Sequence, residues 1–350
     1  MLASWCLGNV LPSADAQSAG QTIAASDPRF RYEGRFDRSD PSGTVVIWEA
    51  SRISLDFDGP TLNLLFSDNH DECFFNATVD GVTKIVELRQ DHPAVNATFS
   101  DLGPGRHHLK LFKRSEASAG TVRFKGVELA EGVHAWLPPA PEYKTSMEFI
   151  GDSIAAGACD EDGKDDQWTN HLTHNSAKSY TTLTAAAFDA DFQNLSVSGI
   201  GIVTGYDAWT EPQIWGRVYE DSKSVKADLT QWTPRIVFVH LGENDGSYPK
   251  AHQQPFPTNF GEAYVGFIHG LRAAYPNAQI VLLQGGMWNG ANNQELLSAW
   301  HDAVAKLESS DKKMAHFQFK HWTYLHPRVA DHKALAKELI AWLKQQDFMK

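Results

Sequence analysis

Three cysteines in 350 residues, Cys6, Cys73 and Cys159, are too few and too widely spaced for a disulfide framework, and their odd number allows at most one bridge. Neither a Cys-x-x-Cys pair nor a His-Glu-x-x-His helix occurs, so no metal and no cofactor is expected. Nowhere do about eighteen apolar residues run together, which excludes a membrane-spanning helix. Basic runs are equally short. With 31 Lys and Arg against 43 Asp and Glu, the formal charge is -12, and neither nucleic acid nor an anionic membrane is an expected partner. Neutral ligands are the natural candidates.

What is present is a chain of 42% hydrophobic residues, long enough for two domains. Its eleven Trp are many for the length, and exposed indoles are flat platforms for sugar rings. Residues 1–27 are apolar, then small and polar, with Ala14-Asp15-Ala16 placed like a peptidase site. They are expected to be a disordered tail or a signal-peptide remnant. Three N-x-[ST] triplets, at Asn76, Asn96 and Asn194, add weight to a secreted, extracellular protein, expected to be a monomer.

Residues 28–137 alternate apolar and polar in short runs such as Val45–Trp48, Arg52–Phe57, Thr61–Phe66, Phe74–Val79 and Thr121–Leu129. Turn residues punctuate them, Asp80-Gly81 being a two-residue hairpin signal. The pattern predicts an all-β sandwich, jelly-roll-like. Residues 138–146 hold Pro138, Pro139 and Pro141 and form a stiff linker. From 147 to 350 the pattern switches to apolar strands alternating with helical periods, which predicts an α/β/α domain with a parallel sheet.

Ligands of such a sheet bind at the carboxyl ends of its strands. Those ends read Gly151-Asp152-Ser153, Ser198-Gly199, Gly242-Glu243-Asn244-Asp245, Gly286-Met287-Trp288 and Thr323-Tyr324-Leu325-His326-Pro327. Each residue alone has a plain structural explanation: a capping Ser, a turn Gly, a core Trp, a buried His. Together they can do acyl transfer. A neutral hydroxyl needs a base, and His326 on a strand-end loop can activate Ser153. Backbone N–H groups of Ser153 and Gly199, with the Asn244 amide, would form the oxyanion hole. His321 and His332 lack that loop context. The acidic stretch 160–166 lacks regular calcium-loop spacing and reads as a solvated loop over the site.

These ordered blocks resemble the SGNH hydrolases. With a β-sandwich in front and Lys113-Arg114-Ser115-Glu116 late in it, the whole is similar to carbohydrate esterase family 2. That resemblance implies O-deacetylation of acetylated xylan, glucomannan or their oligosaccharides, with Ser153 as nucleophile, His326 as base and Trp288 beside the sugar. Where the superfamily has an Asp three residues before the histidine, this chain has Thr323. The resemblance therefore implies a Ser-His dyad whose imidazole is oriented by a loop carbonyl, with Asp331 as the runner-up orienter. Glu243 has no explanation from sequence. An SGNH lipase or phospholipase and a non-catalytic carbohydrate-binding protein are the competing readings. Long acyl preference would mark the first, and sugar binding without acetate release the second.

Overall fold

A computed structural model describes residues 20–89 and 97–349. The front domain is built of antiparallel strands: Gln21–Ala24 (β1), Arg31–Glu33 (β2), Phe36–Asp37 (β3), Thr44–Val46 (β4), Arg52–Asp58 (β5), Leu62–Val79 (β6), Val82–Arg89 (β7), Thr98–Phe99 (β8), Arg106–Lys113 (β9), Gly120–Leu129 (β10) and Ala135–Trp136 (β11). The runs expected at 61–66 and 74–79 are one strand. The first half of β6 pairs with β8 and β10, and its second half with β7 and β9, so it passes from one layer to the other. Inward-facing Leu55, Phe57, Leu64, Phe75, Leu111 and Phe124 fill the space between the layers. Asp80 and Gly81 both have positive φ, as the two-residue hairpin requires.

Two boundaries differ from those read in the sequence. Residues 21–24, placed in the tail by composition, pair with β10 as β1, because β10 offers a free edge there. Thr145 and Ser146, placed in the linker, already belong to the next strand. Residues 1–19, including Cys6 and the Ala14-Asp15-Ala16 site, lie outside the described residues, as does Asn96. Asn194 is buried and its Nδ2 donates to Ala155 O at 2.9 Å, so the folded protein cannot accept a glycan there.

The second domain has five parallel strands, Thr145–Gly151 (β12), Ala190–Ser196 (β13), Ile236–His240 (β14), Gln279–Met287 (β15) and Met314–Thr323 (β16), in the order β13-β12-β14-β15-β16. Its helices are Ser153–Ala156 (α1), Tyr180–Ala187 (α2), Glu211–Ile214 (α3), Glu243–Ala251 (α4), Phe260–Ala274 (α5), Trp288–Asn292 (α6), Gln294–Ser310 (α7) and Val329–Leu343 (α8). Side chains alternate along the strands. Val237, Val239, Ile280 and Leu282 face α5 and α7 with Tyr264, Ile268, Trp300 and Val304. Phe238, Val281 and Leu283 face α2 and α8 with Tyr180, Leu335 and Leu339. Three layers result. The chain leaves β12 toward β13 on one side and later toward β14 on the other, which opens a crevice at the carboxyl end of β12.

The domains share a packed boundary. Ile47, Trp48 and Ala117 of the front domain join the core under α5 and α7, and Trp48 Nε1 donates to Val218 O at 2.8 Å. Buried Arg52 donates to Phe192 O at 3.0 Å and to Asp191 Oδ1 at 2.9 Å. Arg52→Ala is expected to destabilise the protein by about 3 kcal/mol, because it removes the cation beside a partly buried carboxylate and the side-chain donor to the Phe192 carbonyl. Urea unfolding reads the loss as a lower midpoint.

Candidate active site

β12 ends at Gly151, and Asp152 starts α1 by accepting a hydrogen bond from Ile154 N at 3.0 Å. Gly157, with φ 79°, closes this one-turn helix. Ser153 is thereby lifted to the crevice floor. Its Oγ donates to His326 Nε2 at 2.8 Å, across 173 residues of sequence. His326 sits on the loop between β16 and α8, as its strand-end position predicts.

The other imidazole nitrogen gives the main correction to the sequence reading. His326 Nδ1 donates to Asp166 Oδ2 at 2.8 Å, so a side-chain carboxylate stands where a loop carbonyl is expected. Thr323 Oγ1 instead donates to Leu325 O. Asp331, the runner-up, accepts from His321 Nε2 at 2.7 Å and from Arg328 N at 2.9 Å, which caps α8. Asp166 belongs to the acidic stretch expected to be a solvated loop. The stretch does lie over the site, but Arg328 holds its end in place, donating to Asp166 Oδ1 at 2.7 Å, to Cys159 O and His326 O at 3.0 Å, and to Gly163 O at 3.1 Å. Burial alone would raise the Asp166 pKa. The hydrogen bonds from His326 and Arg328 hold it well below the usual carboxylate range.

His332, considered as a base, is fully buried and accepts from Tyr180 N at 3.2 Å. One group among the described residues, Cys159, Asp162 and Asp166, brings three possible metal ligands within 4.8 Å of one another. Of the three, Asp166 is held by His326 and Arg328, Cys159 Sγ meets His174 Nε2 at 3.5 Å, and Asp162 accepts from Gln167 N at 2.6 Å.

Gly199 follows β13 with φ 81°, a conformation that a side chain disfavours, and a Cβ there would stand 3.0 Å from Tyr206 Cβ. Asn244 occupies the first turn of α4, its Nδ2 donating to Ile200 O at 2.8 Å and only loosely, at 3.4 Å, to Asp152 Oδ2. Asp245 accepts from the amides of Ile202, Val203 and Thr204 and so fixes the chain beyond Gly199. Glu243 acquires a role that sequence did not show. Its carboxylate accepts from Asn289 N at 3.2 Å and Gly290 N at 2.6 Å, which anchors α6 and its first residue, Trp288.

A cavity of about 590 Å³ opens above these groups. Ser153, Gly199, Asn244 and His326 line it, so four of the sequence-selected residues meet there with Trp288. Lys250 covers one face of the Trp288 ring at 4.1 Å, leaving its contact with the cavity to the rest of the indole. Sequence reasoning missed Trp168, Tyr206 and Tyr324, which also line the cavity. Trp168 stands edge-on to the His326 ring at 4.3 Å, two residues beyond Asp166. The only sequence trace of it was a tryptophan ending an acidic loop.

Residues 32–139 match the family described as carbohydrate esterase 2 N-terminal, and residues 149–341 match the GDSL-like lipase/acylhydrolase family. A solved family two carbohydrate esterase from Clostridium thermocellum, in complex with cellohexaose, is 30% identical with a TM-score of 0.79, covering 90% of this chain and 98% of that one. The chain belongs to carbohydrate esterase family 2. Two curated relatives extend the comparison of this family 2 chain. It is 32% identical to the cellulase/esterase CelE of Acetivibrio thermocellus over 93% of its own length, and spans 40% of that protein. It is 28% identical to an acetylxylan esterase/glucomannan deacetylase of Cellvibrio japonicus, over 88% of its own length and 87% of the relative's.

Proposed function

We propose that the protein is a carbohydrate O-deacetylase that removes acetyl groups from polysaccharides or oligosaccharides such as xylan or glucomannan. The observation that carries this reading is the unbroken line Ser153 Oγ, His326 Nε2, His326 Nδ1, Asp166 Oδ2, each contact 2.8 Å, opening into an aromatic-rimmed cavity. Family membership and the named activity of the Cellvibrio relatives support the acetyl ester as substrate.

In this mechanism His326 Nε2 takes the Ser153 proton while Oγ attacks the acetyl carbon. The tetrahedral oxyanion accepts hydrogen bonds from Ser153 N–H, Gly199 N–H and Asn244 Nδ2, whose long contact to Asp152 leaves one hydrogen free to turn toward it. His326 then protonates the departing sugar oxygen, and a water repeats the sequence to release acetate. Asp166 stays ionised throughout and holds the imidazolium. Trp288 and the rim aromatics offer faces to sugar rings. A polymeric substrate favours export, and a site whose groups all come from one chain supports a monomer as the working unit.

Acetate release from acetylated xylan and glucomannan, followed by NMR to identify the hydroxyl freed, tests the reading. Failure to deacetylate any glycan, together with faster cleavage of long-chain acyl esters, would overturn it. Asn244→Ala is expected to lower kcat by about 100-fold or more with little change in KM, since the donor acts mainly in the transition state. Steady-state kinetics on an aryl acetate checks this.

A further inference from the structure

The front domain sends one carboxylate into the back of this site. Glu116, 2% exposed, lies just beyond β9. Its Oε2 accepts from Ser198 N at 2.8 Å, and its Oε1 accepts from Ser198 Oγ at 2.8 Å. Ser198 is the residue before Gly199. The same Oε1 meets His174 Nδ1 at 3.2 Å. The His174 ring packs edge-on against Trp168 with centroids 6.4 Å apart, and Trp168 packs against His326. One carboxyl group therefore touches the oxyanion loop directly and reaches the base through two aromatic contacts.

The turn that carries Glu116 is itself tied down. Lys113, fully buried, has its ammonium ringed by the carbonyl oxygens of Ile47, Glu116 and Gly120, the last two at 2.9 Å. Three acceptors match the three N–H donors of an ammonium and fix the backbone of the turn. Burial would raise the Glu116 pKa, but the hydrogen bond and charge of His174, with the two Ser198 donors, hold it down to about 2. These contacts favour its ionised form, and a bidentate charged acceptor fixes its partner more firmly than a neutral one.

We infer that Glu116 is a positioning residue for catalysis: through Ser198 it sets the direction of the Gly199 N–H, so the oxyanion hole is completed from the front domain. The Ser198–Gly199 peptide is the middle of a turn closed by Ile200 N donating to Val197 O at 3.3 Å, and Gly199 O accepts from Tyr206 N at 2.7 Å. Glu116 adds the hold on the near side of that peptide, through the N–H and hydroxyl of Ser198. The front domain is accordingly part of the catalytic unit.

The inference rests on the esterase reading, and the experiment separates the two. Wild-type turnover of an aryl acetate, and its loss on replacing Ser153, judge the esterase reading. Glu116→Gln and Ser198→Ala are then compared with that active wild type. A fluorophosphonate titrates the reactive serines, so kcat is expressed per competent site and a misfolded fraction drops out. Glu116→Gln turns an N–H₂ toward one of the three groups the carboxylate contacts, and kcat per titrated site is expected to fall about 10- to 100-fold with KM within about twofold. Ser198→Ala, which removes one of the two Ser198 contacts, should cost about three- to tenfold in kcat alone. If kcat per titrated site is unchanged in Glu116→Gln, or KM rises while kcat holds, the inference is overturned. Should Glu116→Gln fail to fold, Ser198→Ala decides by the same criterion.

Discussion

Ser153→Ala is expected to lower acetate release by on the order of 10⁶-fold, to the level that solvent and the remaining oxyanion donors support. The size of the loss follows from the hydroxyl being the attacking atom. Without it, His326 has no proton to take at the acetyl carbon, and water in the cavity is not held at 2.8 Å from Nε2 as the Ser153 oxygen is. The substitution removes one buried oxygen from a residue that caps nothing, since Asp152 makes the cap of α1. Thermal stability should therefore stay close to wild type. Acetate release from acetylated xylan, measured with circular dichroism on the same samples, checks both parts. Turnover within tenfold of wild type would remove Ser153 from the mechanism.

Asp166→Asn is expected to lower kcat by about 10⁴-fold with the fold intact. The amide keeps the shape of the carboxylate. It can offer His326 Nδ1 an N–H where an acceptor is needed, which favours the tautomer with its proton on Nε2. That proton faces Ser153 Oγ and prevents the imidazole from acting as base. The substitution also discharges the partner of Arg328, which loosens the tie between the 159–166 loop and the His326 loop. A dyad oriented by a loop carbonyl predicts a far smaller loss, under about tenfold, because the acid would then be a bystander. Single-turnover acylation with an aryl acetate separates the two outcomes and is insensitive to product release.

The parts of this architecture that sequence showed share one property: their signal is local. The run from Met147 into Gly151-Asp152-Ser153 carries its strand, turn and cap within a dozen residues. The helices at 260–274 and 294–310 announce themselves by period. The residues that escaped depend on contacts across the chain. Asp166 lies among several acids, and nothing near it marks which one faces an imidazole 160 residues away. The short strands β2, β3, β8 and β11, of two or three residues each, are too brief to show a period of two. The strand β6 concealed its continuity because polar residues from Ser67 to Glu72 interrupt its apolar alternation where it passes between layers. Glu243 looked inert because its partners, Asn289 and Gly290, follow a different strand.

The guanidinium that seats the acid arm lies two residues after the base, so the ribosome makes the acid early and its lock late. Until the final strand and its loop have emerged, a nascent chain can hold a nearly finished sheet while its Ser153 hydroxyl still has no partner to deprotonate it. Hydrolytic competence therefore waits for His326 and Arg328, and a polypeptide cut short before them lacks the base and its lock whatever else it has folded.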